Sequence, residues 1–290
     1  MTAQTLRTVL GPPIEVAGEE TFCLFSQEIP SNNLGFVDPK ASTLELDIAG
    51  RGFSIRQSTG LLNSSREEGT TGAVLWKITP LLATWMASAP SLLAHVLHHD
   101  AVVVELGCGV AGLLGLVLSR KVQCYVLTDL DYVMKHLREN LAANAVAPRM
   151  DTKVTKKKTN QKNPARDNLK TLPLDWERDS ARNLETVLPE GRAIDLVVLC
   201  DCVYNEYLVS PLVQTCVDLC RLRSVTGKET VVLIAQQLRS DVVFEVFLES
   251  LMKEFDVWRV PDPDVSKDLG LGSGYAVHVA VLRDLAGTAT

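Results

Sequence analysis

The sequence predicts an α/β fold, an open and mainly parallel sheet that ends in a strand hairpin and is preceded by an N-terminal β-hairpin extension. Three observations carry this. Apart from Asp195, the runs Ala101–Val104 and Ile194–Cys200 are apolar without a wet face, as parallel strands covered by helices on both sides require. Strand and helix patterns alternate from Val102 to Val260. Two strands, 256–260 and 275–282, then follow each other without a helix. With 290 residues, 46% of them hydrophobic, the chain can bury a large core.

Taken in order, residues 1–40 hold Pro12-Pro13, Pro30, Ser31-Asn32-Asn33 and Gly35 and read as a loose lead-in. Thr43–Ile48 alternates polar and apolar, Gly50-Arg51-Gly52 supplies a turn, and Phe53–Gln57 alternates again, which is a β-hairpin with one wet face. Residues 1–70 thus form an extension and 71–290 the main domain. A helix is expected to open at Ala73 after Gly69-Thr70-Thr71-Gly72, with Leu75, Ile78, Leu81, Leu82, Trp85 and Met86 on its apolar stripe. Pro80 must occupy an early turn or kink it. Trp76 stands off the stripe, so a core position and a ligand contact both stay open.

The run from Ala101 leads into Glu105-Leu106-Gly107-Cys108-Gly109-Val110-Ala111-Gly112 and the helical run Leu113–Leu118. Glycines in that spacing let backbone and ligand approach closely. Glu105, two residues before the first glycine, suits a cationic ligand better than a pyrophosphate. Cys124–Leu127 closes on Thr128-Asp129, and Asp129 lies 24 residues after Glu105 (129 − 105), where a second strand delivers an acid to ribose hydroxyls. A helix over 132–141 follows.

Residues 151–170 form a basic insertion, with seven bases against two acids. It reads as a solvated loop or as a local contact for RNA or an acidic surface. Leu172-Pro173-Leu174-Asp175-Trp176 returns to apolar chemistry, with Trp176 suited to an adenine ring. Ile194–Cys200 ends in Asp201-Cys202-Val203-Tyr204-Asn205, an acid and an aromatic at the strand edge where open α/β sheets bind ligands. Pro211–Leu222 and Val242–Phe255 read as helices, and Thr230–Ala235, Asp256–Val260 and Tyr275–Leu282 as strands.

Composition narrows the function classes. A net charge of −6 leaves no global basic field for nucleic acid. Seven cysteines, without a C-x-x-C pair, read as reduced intracellular thiols. No basic, apolar leader opens the chain, and no run of about 18 apolar residues suggests a membrane span. His98-His99 lack an evident third ligand, so no metal is expected.

These residues resemble the S-adenosyl-L-methionine-dependent methyltransferases of the seven-strand, Rossmann-like class. Within it, Gly72–Trp76, Glu105–Gly109, Thr128-Asp129, Leu174–Trp176 and Asp201-Cys202-Val203-Tyr204 look like the protein-lysine methyltransferases that share a D-x-x-Y motif. The resemblance implies that Trp76, Gly107, Cys108, Gly109, Asp129, Trp176 and the main chain at Cys200 line the cofactor beside Glu105. Asp201 and Tyr204 are then the catalytic candidates, Asp201 orienting the amine and Tyr204 lining its channel. Leu34–Asp38, the hairpin and Gly272–Tyr275 further resemble a fungal, ribosomal branch of that family. That branch implies a large-subunit ribosomal protein of the L1 type, or another translation component, as substrate. It also implies a cytoplasmic setting, with the nucleus as a second compartment. The rival readings are a methyltransferase of RNA or a small molecule, a non-catalytic protein-binding module and a nicotinamide dehydrogenase. Cys202-Val203 in place of two prolines speaks against base methylation, the intact set of Glu105, glycines and Asp129 against decay, and Glu105 with the terminal strand hairpin against a dehydrogenase.

Overall fold

The computed structural model describes residues 3–30, 35–59, 71–145, 168–222 and 229–283. Two helices, α1 (Ala3–Leu10) and α2 (Ala17–Phe25), open the chain where a loose lead-in was expected. Packing overrides the punctuation there: Leu6 and Leu24 are buried, and Pro12-Pro13 merely separate the helices. The Ile14 N–H donates to the Val257 carbonyl at 2.8 Å, and the Trp258 indole to that of Gly11 at 3.0 Å. The lead-in thereby closes the far edge of the main sheet, an edge that would otherwise offer unpaired backbone groups.

Strands β1 (Thr43–Ile48) and β2 (Arg51–Arg56) form the expected hairpin as a separate antiparallel sheet. Then come α3 (Ile78–Ala87), β3 (Val102–Leu106), α4 (Leu113–Leu118), β4 (Cys124–Asp129) and α5 (Asp131–Asn144). The outer edge of β2 is covered by two asparagines of α5. Asn140 and Asn144 each accept a backbone N–H and donate to the carbonyl of the same residue, Arg56 and Ser54 respectively, all at 2.8 Å. Residues at i and i+4 of a helix lie on one face, so the pair imitates a third strand.

The helix expected from Ala73 starts at Ile78 instead. Residues 71–73 make one 3₁₀ turn, and the next amides bond outward: Leu75 N–H to Gln57 Oε1 (2.8 Å) and Lys77 N–H to the Gly35 carbonyl (2.8 Å). Trp76 is held in an isolated antiparallel bridge to Phe36. Pro80 falls in the first turn of α3, where its missing N–H costs nothing.

The remaining elements are β5 (Leu169–Pro173), β6 (Leu196–Cys200), α6 (Val209–Arg221), β7 (Val231–Gln237), α7 (Asp241–Glu254), β8 (Phe255–Arg259) and β9 (Tyr275–Leu282). The main sheet runs β5-β4-β3-β6-β7-β9-β8, all parallel except β9, which is antiparallel to both neighbours. Of the basic stretch 151–170, residues 151–167 lie outside the described residues. Its tail is strand: Leu169 and Lys170 pair with Tyr125 and Val126, so the third strand begins five residues before Leu174 (174 − 169).

Alternation within β3 divides the core in two. Val103 and Glu105 face α3, α4 and α5, while Val102, Val104 and Leu106 face α6 and α7. Because β4 and β6 flank β3 on opposite sides, their crossovers leave a crevice at the carboxyl ends of these three strands.

Candidate active site

The crevice holds a cavity of about 230 Å³ whose walls come from the three strand ends, the turn before α3, the stretch after β5 and the loop after β7. Its floor is the turn from β3 to α4. Gly107, Gly109 and Gly112 adopt positive φ of 65°, 63° and 52°. A Cβ on Gly109 would stand 3.1 Å from the Gly72 carbonyl, and one on Gly107 3.0 Å from Cys202 Sγ and 3.4 Å from the Trp176 ring. Both the backbone conformation and the space therefore demand glycine. The Gly72 carbonyl also accepts the Val110 N–H at 2.8 Å, which seats the Gly72–Trp76 segment against the turn.

Two carboxyls stand over this floor. Glu105 is 1% exposed, and burial pushes it up to about 8; the Tyr125 hydroxyl, donating to its Oε2 at 2.8 Å, opposes that rise, and the Asp129 charge adds to it. Asp129, at the end of β4, accepts the N–H groups of Gly109 (2.7 Å) and Leu130 (2.8 Å). Burial raises it to about 6 against those two bonds. Neither acid has a cationic side chain against it among the bonds and ion pairs of the described residues. Cys108, Cys200 and Cys202 also reach the cavity, and burial keeps all three as thiols.

At the end of β6 the arrangement differs. Asp201, itself at φ 62°, is held in a bidentate pair by Arg239, with Nη1 at 2.9 Å from Oδ1 and Nη2 on Oδ2. Its Oδ1 also accepts from Gln236 Nε2 (3.0 Å) and the Gln237 N–H (3.2 Å). The guanidinium stacks on Trp76, 4.5 Å from the ring centroid, and Phe36 packs beside that indole at 4.4 Å. Tyr204, half-exposed, lines the cavity with its hydroxyl bonded to the Thr71 side chain. Asp201 caps no helix. The next helical turn, Glu206–Leu208, is capped by Asn205, whose side chain accepts the Tyr207 N–H at 3.1 Å.

All ten residues singled out from the sequence, Trp76, Glu105, Gly107, Cys108, Gly109, Asp129, Trp176, Cys200, Asp201 and Tyr204, line this one cavity. The residues that sequence reasoning missed are Gln236, Gln237 and Arg239. A signal existed: two glutamines directly after the apolar run Val231–Ala235 mark the carboxyl end of a central strand, the same place that drew attention to Asp201. Outside the cavity, Asp100 supplies the third donor that His98-His99 had seemed to lack, the three ligand atoms lying within 4.8 Å of one another on the surface.

The donor set decides what fits. Five acids, Glu105, Asp129, Asp175, Glu177 and Asp201, line the cavity against two arginines, and each arginine faces an aspartate: Arg239 on Asp201, Arg178 at 3.7 Å from Asp175. A pyrophosphate would meet carboxylates here. A nucleoside carrying positive charge suits the set: Asp129 retains acceptor lone pairs for ribose hydroxyls, Trp176 offers a ring for a base, and Glu105 an acid for a cation. Among the described residues no helix is long and apolar enough to cross a membrane.

Comparison with known proteins agrees with this geometry. A family model described as lysine methyltransferase matches residues 56–254. A protein of Eremothecium gossypii named ribosomal lysine N-methyltransferase 5 is 30% identical over 261 residues, covering 77% of this chain and 82% of that protein. Its namesake in Zygosaccharomyces rouxii is 29% identical over 245 residues, covering 74% and 76%. A Schizosaccharomyces pombe protein named diaminohydroxyphosphoribosylamino-pyrimidine deaminase is 29% identical over 254 residues, covering 86% of this chain but 54% of that protein. The deaminase name is that longer protein's own, and this chain spans about half of its length.

Proposed function

This chain belongs to the lysine methyltransferase family and uses S-adenosylmethionine, and from that premise we propose that it methylates the ε-amine of a lysine in a large-subunit ribosomal protein of the L1 type. One observation supports the reading above the others. The cradle of Glu105, Gly107, Gly109 and Asp129, at the ends of β3 and β4, and the group of Asp201, Tyr204 and Trp76, built from the end of β6 and the turn before α3, open into the same cavity.

The cofactor supplies a methyl group activated by a sulfonium charge. In the proposed division of labour, Asp129 holds ribose hydroxyls, Trp176 covers the base, and Glu105 faces the cationic part of the ligand. Tyr204 walls the channel by which a lysine side chain reaches the methyl, and Trp76, expected from the sequence to line the cofactor, is assigned to this channel instead because its ring carries the Arg239 guanidinium. Acceptance of the methyl needs the amine's lone pair, and a free lysine with a pKa near 10.4 is neutral only about four times in ten thousand at pH 7. The chain therefore has to desolvate the amine and hold it in line rather than supply a strong base. A ribosomal substrate would place the enzyme in the cytoplasm.

The test is direct. The protein is incubated with labelled S-adenosylmethionine and a lysate lacking this activity, with and without purified large ribosomal subunits, and the labelled band is sequenced. Label on a lysine of one large-subunit protein is expected. Label in RNA, or on a non-ribosomal protein, would replace the substrate assignment.

A further inference from the structure

Two features of the cavity attract a lysine cation, the Asp201 carboxylate and the face of Trp76, and both are taken by a residue of the chain itself. Arg239 makes two bonds to Asp201, a third from Nη2 to Gln237 Oε1 at 3.1 Å, and lies over the Trp76 ring. The Gln237 oxygen is fixed in turn by the Gly35 N–H at 3.0 Å. The Asp201 side chain is 2% exposed and that of Arg239 27%, so the guanidinium belongs to the wall rather than to solvent.

We infer that Arg239 is a specificity-determining residue for methyl transfer: by occupying this carboxylate and this aromatic face it makes the amine end of the cavity electrically neutral, so that the uncharged amine is admitted in preference to the ammonium. The inference rests on the lysine reading proposed above. An unpaired Asp201 would raise the pKa of an adjacent lysine by about 1–3 units and deepen its shortage of neutral amine. Pairing with Arg239 cancels that field at its source. An arginine performs this better than a lysine, because its planar fork matches the carboxylate, stacks on the indole and never loses its proton.

The other titratable groups on this end leave the balance intact. Tyr204, on the segment after β6, has its phenol raised by burial against the bond to Thr71. Tyr275, on β9, is pushed up to about 12 by burial and the Asp201 charge. The Cys200 thiol is raised by burial. All three are neutral near pH 7, and the Asp129 charge, which also reaches Tyr204, is common to wild type and to every Arg239 and Asp201 variant, so it moves no limb between them.

The experiment measures kcat and KM across pH 6.5–9.5, with the acceptor that the lysate labelling identifies, for the wild type, Arg239→Met, Arg239→Lys and Arg239→Met combined with Asp201→Asn. In Arg239→Met the rising acid limb of kcat is expected to move up by about one pH unit or more, with kcat about tenfold lower at pH 7 and KM for the acceptor unchanged or lower. Arg239→Lys should restore most of the limb's position. The double variant, which removes both charges, should return it to the wild-type position and keeps the test open if Arg239→Met alone does not fold. Melting curves and S-adenosylhomocysteine titration, the latter expected to stay within about threefold of wild type, separate this effect from a general loss of structure. A limb that coincides with wild type in Arg239→Met, or a shifted limb shared by the double variant, overturns the inference. A wild-type protein that labels no lysine overturns the lysine reading instead, and this inference falls with it.

Discussion

Asp129 and Asp201 close two strands of one sheet, on either side of β3, and are treated in opposite ways. Asp129 is held by two backbone N–H groups and no cation, so its charge is unbalanced and burial lifts it to about 6. Asp201 is enclosed as well, its side chain 2% exposed, yet its charge is matched by a guanidinium and its remaining lone pairs by two glutamines. An acid left electrically open is poised to bind something that the chain does not contain. An acid already paired is part of the wall. In the proposed reading Asp201 orients the amine through Arg239, Gln236 and Trp76, the groups that its carboxylate holds in place.

Removing charge at each site should separate the two roles. The largest effect is expected for Asp201→Ala, which strands a part-buried guanidinium and a buried glutamine. Breaking one side of such a pair costs about 3–5 kcal/mol, so urea unfolding should show a loss of this size together with loss of activity. Full stability in this variant would mean that the pair is idle. Asp201→Asn, which keeps two acceptor lone pairs, should fall between this variant and the wild type in both measurements.

Glu105→Gln sharpens the cofactor end. The native carboxyl of Glu105, raised to about 8 from an ordinary 4.5, binds its proton more tightly than in the unfolded chain, so its contribution to stability falls as pH rises between those values. The amide has no such penalty. The ligand-free variant should match the wild type near pH 5 and exceed it by about 2–4 kcal/mol at pH 9, while binding S-adenosylmethionine more weakly at pH 9, where the native carboxyl is ionised. A melting-temperature difference independent of pH would count against a buried, protonated Glu105.

Asp129→Asn should leave the fold nearly intact and weaken S-adenosylmethionine by about 1–3 kcal/mol in calorimetry, through lost charge-assisted bonds to ribose. If cofactor affinity held while stability fell, Asp129 would be a wall residue like Asp201. Tyr204→Phe is expected to have the smallest effect, about 1 kcal/mol or less in kcat/KM, because only the bond to Thr71 is lost and the ring face stays. A loss of a hundredfold would assign the hydroxyl itself a part in the chemistry.

The cradle was readable because its determinants are local. Glu105 to Gly112 are eight consecutive residues, and the glycines record backbone angles that only they adopt cheaply. The apolar runs on either side record strands with no wet face, which required a parallel sheet covered twice. Asp129 followed from the length of one strand-helix-strand unit. The alternation over 43–57 likewise specified the hairpin.

The rest depended on register and on contacts between distant segments. Arg239 meets Asp201 across 38 residues because β6 and β7 are parallel neighbours with Cys200 opposite Ala235, and a slip of one residue would turn the side chains near the strand ends to opposite faces. Trp76 takes its place from Phe36 and Gln57, whose bonds to the surrounding main chain stop the helix from starting at Ala73. The helices of the lead-in form on the sheet edge that they cover, with Leu6 and Leu24 buried by partners that lie far along the chain. A sequence states local backbone demands and apolar periodicity directly. Which charge is balanced and which is left open is decided only when the strands are brought side by side, because that depends on distances that no single segment specifies.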